Sequence, residues 1–303
     1  MTWRTVFSNG GKADEMMRTI AIAGVGEMGV ALARRMIAQG QHVVTFPPRS
    51  AASVERARQA GIEIVAEDEI GGADFFFSVV PSEAAAPLAE RVASICRSHA
   101  RKPVYCEWNA ISPGKLQCIA DRLAAAGMTL IDGGIIGLAN WSVDTPGPTL
   151  YASGPAAGLL AEVGDLGLQI TVMDAGLGAA SALKLSYAAI TKGLIAIATM
   201  AAIAAQRKQC DESLTAELAR SQSGLLDSFS KSVPNMLPKA QRWTSEMAEI
   251  SDYLGADSQA GMIYAAIAKV FGQIATSVDT RDFLACAYRV RPEGQCCANA
   301  LRG

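Results

Sequence analysis

Residues 19–29 read TIAIAGVGEMG, and this stretch limits what the chain can fold into more than any other. An apolar β-type run leads directly into Gly24-Val25-Gly26-Glu27-Met28-Gly29, and a helix-like segment comes next. The spacing fits GxGxxG. In a strand–turn–helix unit the first glycine permits the tight turn. The second lets a phosphate approach the backbone, and the third lets the helix lie on the strand. Free N–H groups at the helix start then face an anion. Gly24, Gly26, Glu27, Met28 and Gly29 are therefore candidate dinucleotide contacts, the plainer alternative being a structural turn with no ligand.

The rest of the first half repeats the pattern. β-type runs at 19–24, 42–46, 62–66, 74–80, 103–108, 128–134, 149–154 and 169–174 alternate with amphipathic stretches such as SEAAAPLAERVASICRSH. Continuous apolar strands separated by helices imply a parallel sheet covered on both faces. The fold class is therefore α/β, a Rossmann-type doubly wound sheet over 18–178 behind a loosely ordered tail at 1–17. Near Gly178 the pattern changes. About Ala179 to Lys208 is one long, Ala-, Leu-, Ile- and Met-rich stretch without proline, and the remainder of the chain reads helical. An all-α domain over 179–303 is expected, with its first helix apolar nearly all round and in need of more than one packing partner.

Composition removes several function classes. Half of the 303 residues are hydrophobic, 18% are charged and the formal net charge is −2, which gives no reason to expect nucleic acid or an anionic membrane as partner. The longest apolar run, 193–205, is too short to cross a bilayer. The seven cysteines lack the spacing of a zinc site or a disulfide framework, so reduced thiols in a cytoplasmic protein are expected, the adjacent Cys296 and Cys297 included. The N-terminal stretch lacks the apolar centre of a secretory signal. No HExxH, GxSxG or metal-ligand cluster is present, so no metal is expected.

The second strand run ends at Phe46, where NAD-binding domains commonly place an acid for the ribose 2′-hydroxyl. This chain has Pro47-Pro48-Arg49-Ser50 there. A carboxylate would repel a 2′-phosphate, whereas a guanidinium and a hydroxyl hold one. Arg49 and Ser50 favour NADP over NAD, with Ser53 or a backbone N–H of the next helix as a further contact.

Hydride transfer needs an acid or base at the reacting carbon. His42 starts a strand and His99 ends a helix, and both read as structural or exposed. Lys184 stands out, one turn inside the long helix among Ala180, Ala182, Leu183 and Leu185. A lysine there is expensive unless it meets something polar; snorkelling to water is the bland alternative. Tyr187, Ala188, Thr191 and Lys192 share its helical face. Lys192 would lower its affinity for a proton and attract an anion.

These residues together carry a resemblance. IAIAGVGEMGVALARRM, SVVPSEAA (78–85), IDGGIIG (131–137) and GLGAASALK (176–184) are similar, in order and spacing, to the β-hydroxyacid dehydrogenase superfamily, which includes 3-hydroxyisobutyrate dehydrogenase and is related to 6-phosphogluconate dehydrogenase. The resemblance spans about 19–205. It implies reversible, nicotinamide-dependent oxidation of a β-hydroxy acid, with Lys184 as general acid/base. It places Val80 and Pro81 beside the nicotinamide and Gly133 and Gly134 at the substrate. The second family motif, often DxSTxSP, reads Glu107-Trp108-Asn109-Ala110-Ile111-Ser112-Pro113, and Asn109 is a candidate donor to substrate and cofactor. Ile136 replaces a substrate-holding serine, and Tyr187 and Ala188 stand where asparagines usually come after the lysine. The pocket is thus expected to be rebuilt around Ile136, Tyr187, Thr191 and Lys192, for a small hydroxy acid or carbonyl compound. The family's helical domains commonly pack together, so a homodimer is expected. Two alternatives remain at this level: an NADPH-dependent imine reductase, against which Lys184 argues, and a non-catalytic NADPH-binding sensor or scaffold.

Overall fold

The computed structural model describes residues 17–48, 50–139, 141, 147–162 and 166–289. The tail expected at 1–17, apart from Met17, lies outside them, as do Arg49, Cys296 and Cys297. The chain divides into two compact units, Met1–Leu185 and Ser186–Gly303.

The first unit carries eight strands: β1 (Thr19–Ala23), β2 (His42–Thr45), β3 (Glu63–Ile64), β4 (Phe75–Ser78), β5 (Val104–Glu107), β6 (Leu130–Ile136), β7 (Thr149–Ser153) and β8 (Gln169–Val172). They coincide with the eight runs read from the sequence. Between them lie α1 (Glu27–Ala38), α2 (Ala51–Gln59), α3 (Ser82–Cys96), α4 (Pro113–Ala125) and the short α5 (Leu159–Glu162). The sheet order is β3-β2-β1-β4-β5-β6-β7-β8. All pairs are parallel except β6 with β7, which run antiparallel, a departure from the all-parallel expectation. The chain leaves β1 in one direction for β2 and returns on its other side as β4, and the crevice at such a switch point is where α/β sheets bind ligands.

The apolar strands read as continuous because both faces are covered. Ile20, Ile22, Phe75 and Phe77 pack on Leu32, Ala33 and Met36 of α1. Ala21, Ala23, Phe76 and Tyr105 pack on Leu88 and Val92 of α3 and on Ile119 and Leu123 of α4. Both histidines hold structure: His42 Nε2 lies 2.8 Å from Glu63 Oε2, and His99 Nδ1 lies 3.2 Å from the Ile95 carbonyl.

The long helix is α6 (Ala179–Arg207), and its start, through Leu185, belongs to the first unit. By length and composition α6 could cross a membrane, because the helix extends well beyond the 193–205 run. The sequence expectation underestimated it. The helix nevertheless carries Lys192 in its interior, whose ammonium pairs with Glu246 and lies 5.0 Å over the Trp243 ring. The second unit continues with α7 (Asp211–Ser221), α8 (Ser223–Met236), α9 (Ala240–Tyr253), α10 (Gln259–Thr276) and α11 (Val278–Cys286). α8 carries Pro234 inside its last turn and ends at Met236. Within this unit α6 is tied down by Tyr264 and Tyr288, whose hydroxyls donate to the carbonyls of Ala189 and Ala198.

Candidate active site

The glycine loop shows three glycines in three situations. Gly24 has φ +99°, and a Cβ there would stand 1.9 Å from the Val79 carbonyl oxygen. A Cβ on Gly29 would stand 1.8 Å from the Gly24 oxygen. Both glycines are thus required by contact between β1, α1 and the end of β4. Gly26, at the N-cap of α1, meets nothing within 4 Å, and it is exposed together with Glu27. The open side of the loop therefore presents helix-start N–H groups with no side chain in the way, the arrangement a pyrophosphate needs. Met28 is half-buried, and packs on the core instead.

Beside the loop, α2 opens with an organised polar cluster. Ser50 caps the helix, accepting from Ser53 N at 3.2 Å, and its hydroxyl donates to Ser53 Oγ at 2.9 Å. Arg56 donates from Nε to the Val25 carbonyl at 3.0 Å and from an Nη to Ser53 Oγ at 2.7 Å. A guanidinium thus links the glycine loop to the α2 N-terminus while remaining exposed. Sequence reasoning passed over Arg56; its position two turns into α2 gives no motif, although i, i+3, i+6 spacing from Ser50 put it on the capped face.

The loop after β4 is fixed from below. Val80 N donates to Asn109 Oδ1 at 2.8 Å. Asn109 Nδ2 donates to Ser78 Oγ at 2.9 Å and to Glu107 Oε1, and Asn109 N donates to the same Glu107 oxygen at 3.0 Å. Asn109 is 6% exposed, and its amide oxygen and both amide hydrogens are engaged. Donation to a substrate would require breaking one of these bonds, so the geometry gives Asn109 the task of holding Val80. Pro81 comes next as the exposed N-cap of α3.

Asp132, on β6, organises the other half. Its Oδ2 accepts from Ser153 Oγ at 2.8 Å, Ala180 N at 3.0 Å and Ser181 N at 3.1 Å, and its Oδ1 accepts from Ser181 Oγ. A fully buried carboxylate thus caps α6 from a remote strand, satisfying N–H groups a helix start leaves open. One turn later comes Lys184, half-buried. Gly133 and Gly134 make this approach possible. A Cβ on Gly133 would stand 2.3 Å from the Trp108 ring, and one on Gly134 would stand 2.8 Å from the Ala180 oxygen and 3.1 Å from Lys184 Cβ. Ile136 ends β6 opposite Thr149, half-buried.

Glu107 is fully buried. Burial raises its carboxyl to about 8, against the lowering by hydrogen bonds from Asn109 and Ser78, and Asp132 adds to the rise. Among the described residues no group of three or more His, Cys, Asp or Glu side chains could hold a metal.

Of the remaining expected pocket residues, Tyr187, Thr191 and Lys192 fall in the second unit. Tyr187 is exposed, the Thr191 hydroxyl donates to the Tyr187 carbonyl at 3.0 Å, and the charge of Lys192 is answered by Glu246. The anion-attracting role expected of Lys192 thus has a competitor in its own unit.

Residues 19–158 match the family described as the NAD binding domain of 6-phosphogluconate dehydrogenase. The α/β unit is a 6-phosphogluconate dehydrogenase-type NAD-binding domain. Downstream of this domain, residues 205–274 match a domain of unknown function (DUF1932). Among solved structures, the chain is 26% identical to conserved protein MTH1747, of unknown function and described as structurally similar to 3-hydroxyacid dehydrogenases; 89% of this chain and 100% of that one are covered, with a TM-score of 0.66. The Mycobacterium tuberculosis 3-hydroxyisobutyrate dehydrogenase, solved with L-serine, shares the fold at 16% identity over 89% of this chain and 98% of its own, with a TM-score of 0.66. A reductive aminase from Aspergillus terreus shares it at 16% identity over 85% and 93%, with a TM-score of 0.53. Curated proteins give no match. The 6-phosphogluconate dehydrogenase-type domain supports a nicotinamide-dependent oxidoreductase, the 26%-identical neighbour is consistent with the β-hydroxyacid dehydrogenase superfamily, and the two neighbours of lower identity show the shared fold.

Proposed function

We propose that the chain is an NADP-dependent oxidoreductase that moves a hydride between the nicotinamide and a β-hydroxy acid or related small hydroxy compound, with Lys184 as general acid/base. One observation carries the reading. Lys184 stands one turn into a helix capped by Asp132, seated against Gly134 in the same unit as the glycine loop. Gly24, Gly26, Glu27 and Gly29 would hold the pyrophosphate, with Val80 and Pro81 beside the nicotinamide. Ser50, Ser53, Arg56 and Arg49 would take the 2′-phosphate. When bound, NADP+ supplies the hydride acceptor. The Lys184 amine takes the hydroxyl proton as the substrate C–H hydride leaves, and in reduction its ammonium returns that proton to the alkoxide oxygen. Ile136 makes the substrate side more apolar than a serine would.

Lys184→Ala is expected to keep NADPH affinity within about twofold and to lower kcat on the order of a thousandfold, within the range for a lost acid/base. Unchanged turnover would reject the role. The fold shared with the reductive aminase keeps imine reduction as the second reading. A panel of cyclic imines against hydroxy acids, with NADPH oxidation or NADP+ reduction followed spectrophotometrically, separates the two. Tight NADPH binding with no turnover on either panel would instead leave a sensor or scaffold.

A cytoplasmic homodimer completes the reading. α6 leaves Tyr187, Ile190, Leu194 and Ile197 exposed on one face, at helical spacing, with Ile190 at 65% and Ile197 at 59% exposure. An apolar stripe of this kind marks an interaction surface. A stable monomer in light scattering would remove it from the proposal.

A further inference from the structure

One residue from each of five adjacent strands forms a row across the sheet. Ala23 pairs with Ser78, Ser78 with Glu107, Glu107 with Asp132 and Asp132 with Ser153. The four polar members are all fully buried. At one end of the row, Ser78 and Glu107 hold Asn109 and, through it, Val80 N. At the other, Asp132 and Ser153 hold the N–H groups that start α6.

The two carboxyls in the middle are used differently. Asp132 accepts hydrogen bonds on both oxygens. Glu107 accepts only on Oε1; its buried Oε2 has no partner among the described residues. A carboxylate with one oxygen buried and served by no donor is far costlier than a neutral acid in the same place, where the proton would sit on Oε2. Like charges on adjacent strands, away from water, cannot both form cheaply.

We propose that Glu107 is a positioning residue whose neutral form sets the cofactor loop through Asn109 and Val80, and whose ionisation beside Asp132 unlocks that loop. The proposal rests on the reading of Val80–Pro81 as the nicotinamide loop. The titratable groups that bear on Glu107 are Asp132 on β6 and Tyr105 and Cys106 on its own strand; β4 presents Ser78. Burial pushes Tyr105 and Cys106 well above their ordinary values, so neither titrates before Glu107 does. Ionised Glu107 would draw the Asn109 amide and the Ser78 hydroxyl toward both its oxygens, and the Asn109 oxygen would turn from Val80 N.

The test is NADPH affinity by fluorescence titration at pH 7, 8, 9 and 9.5, for wild type and Glu107→Gln. Affinity is chosen over turnover because Lys184 also shapes a rate profile. Wild type should weaken several-fold between pH 7 and pH 9.5, while the ratio of affinities at those pH values stays near one for Glu107→Gln, which cannot ionise. Equal pH profiles in both proteins would overturn the proposal. Absence of NADPH binding at every pH in wild type would overturn the function above and this inference with it, which keeps the two failures apart. If Glu107→Gln does not fold, wild type alone decides by infrared spectroscopy. The carbonyl band of a neutral buried carboxylic acid should fade over the same pH range in which NADPH affinity falls. A band that fades without loss of affinity, or no such band at pH 7, would reject the proposal.

Discussion

Gly134 and Lys184 stand so close that a Cβ added to the glycine would lie 3.1 Å from the Cβ of the lysine. The same Cβ would lie 2.8 Å from the Ala180 carbonyl oxygen, which is backbone and cannot swing away. Gly134→Ala must therefore push the first turn of α6 off β6. The expected result is a stability loss of about 1–3 kcal/mol, typical of overpacking. A loss of kcat on the order of a hundredfold should accompany it, as for other small misplacements of a reacting group. NADPH affinity should hold, because the glycine loop lies on other strands. Kinetics and cofactor titration on one preparation check both; an active Gly134→Ala would show that Lys184 need not sit where α6 puts it.

Asp132 makes that seat. Asp132→Ala would leave Ser181 N and the Ser153 and Ser181 hydroxyls without their buried acceptor, and Ala180 N with Ser153 Oγ alone. One orphaned buried donor costs about 1–3 kcal/mol, so a total at or above the top of that range is expected by urea unfolding. Asp132→Asn should cost less, because the amide oxygen can keep the three donors on Oδ2 while the Ser181 hydroxyl turns to accept from the amide nitrogen. A loss under about 0.5 kcal/mol in Asp132→Ala, the level of ordinary surface changes, would mean that water replaces the cap.

These residues show where the sequence is legible and where it is not. Eight strands and the long helix are written in local apolar runs and in GxGxxG, because periodicity and turn chemistry act over a few residues. Lys184 was visible as a charge on an apolar helix. Asp132 was not, since it caps a helix that begins 47 residues later in the chain, and no local capping signal marks it. Asn109 was visible as a polar residue in a motif, yet its partners Ser78, Glu107 and Val80 come from neighbouring strands, and only register brings them together. Lys192 looked available in sequence; Glu246, on another helix, pairs with it.

Arg56 is a proposed cofactor contact that no local motif marks. Arg56→Ala removes the guanidinium that joins Ser53 to the Val25 carbonyl. If the cluster holds a 2′-phosphate, NADPH should weaken by about tenfold or more, the scale of a lost charge-assisted hydrogen bond, and NADH by less than twofold. Parallel fluorescence titrations with the two cofactors decide. Equal weakening of both would assign Arg56 to the shape of the glycine loop alone.

Glu107 gives a stability prediction whose sign runs against the usual carboxylate. Its folded value of about 8 lies above the ordinary 4.5. Between those values the unfolded chain has released the proton while the folded chain keeps it, so each rise in pH favours unfolding. The contribution is fully present below the ordinary value and is lost as pH climbs toward the folded one, by about 1.4 kcal/mol per pH unit. Above it both states are ionised and the loss levels off. Urea unfolding of wild type and Glu107→Gln at unit steps from pH 5 to pH 9 isolates this term, because other titrations cancel in the difference. The variant should gain on wild type steadily up to about pH 8 and no further. A difference that stays constant across the series would mean that Glu107 is ionised in the folded protein throughout, with water or a shifted Ser78 hydroxyl serving the oxygen that now has no partner.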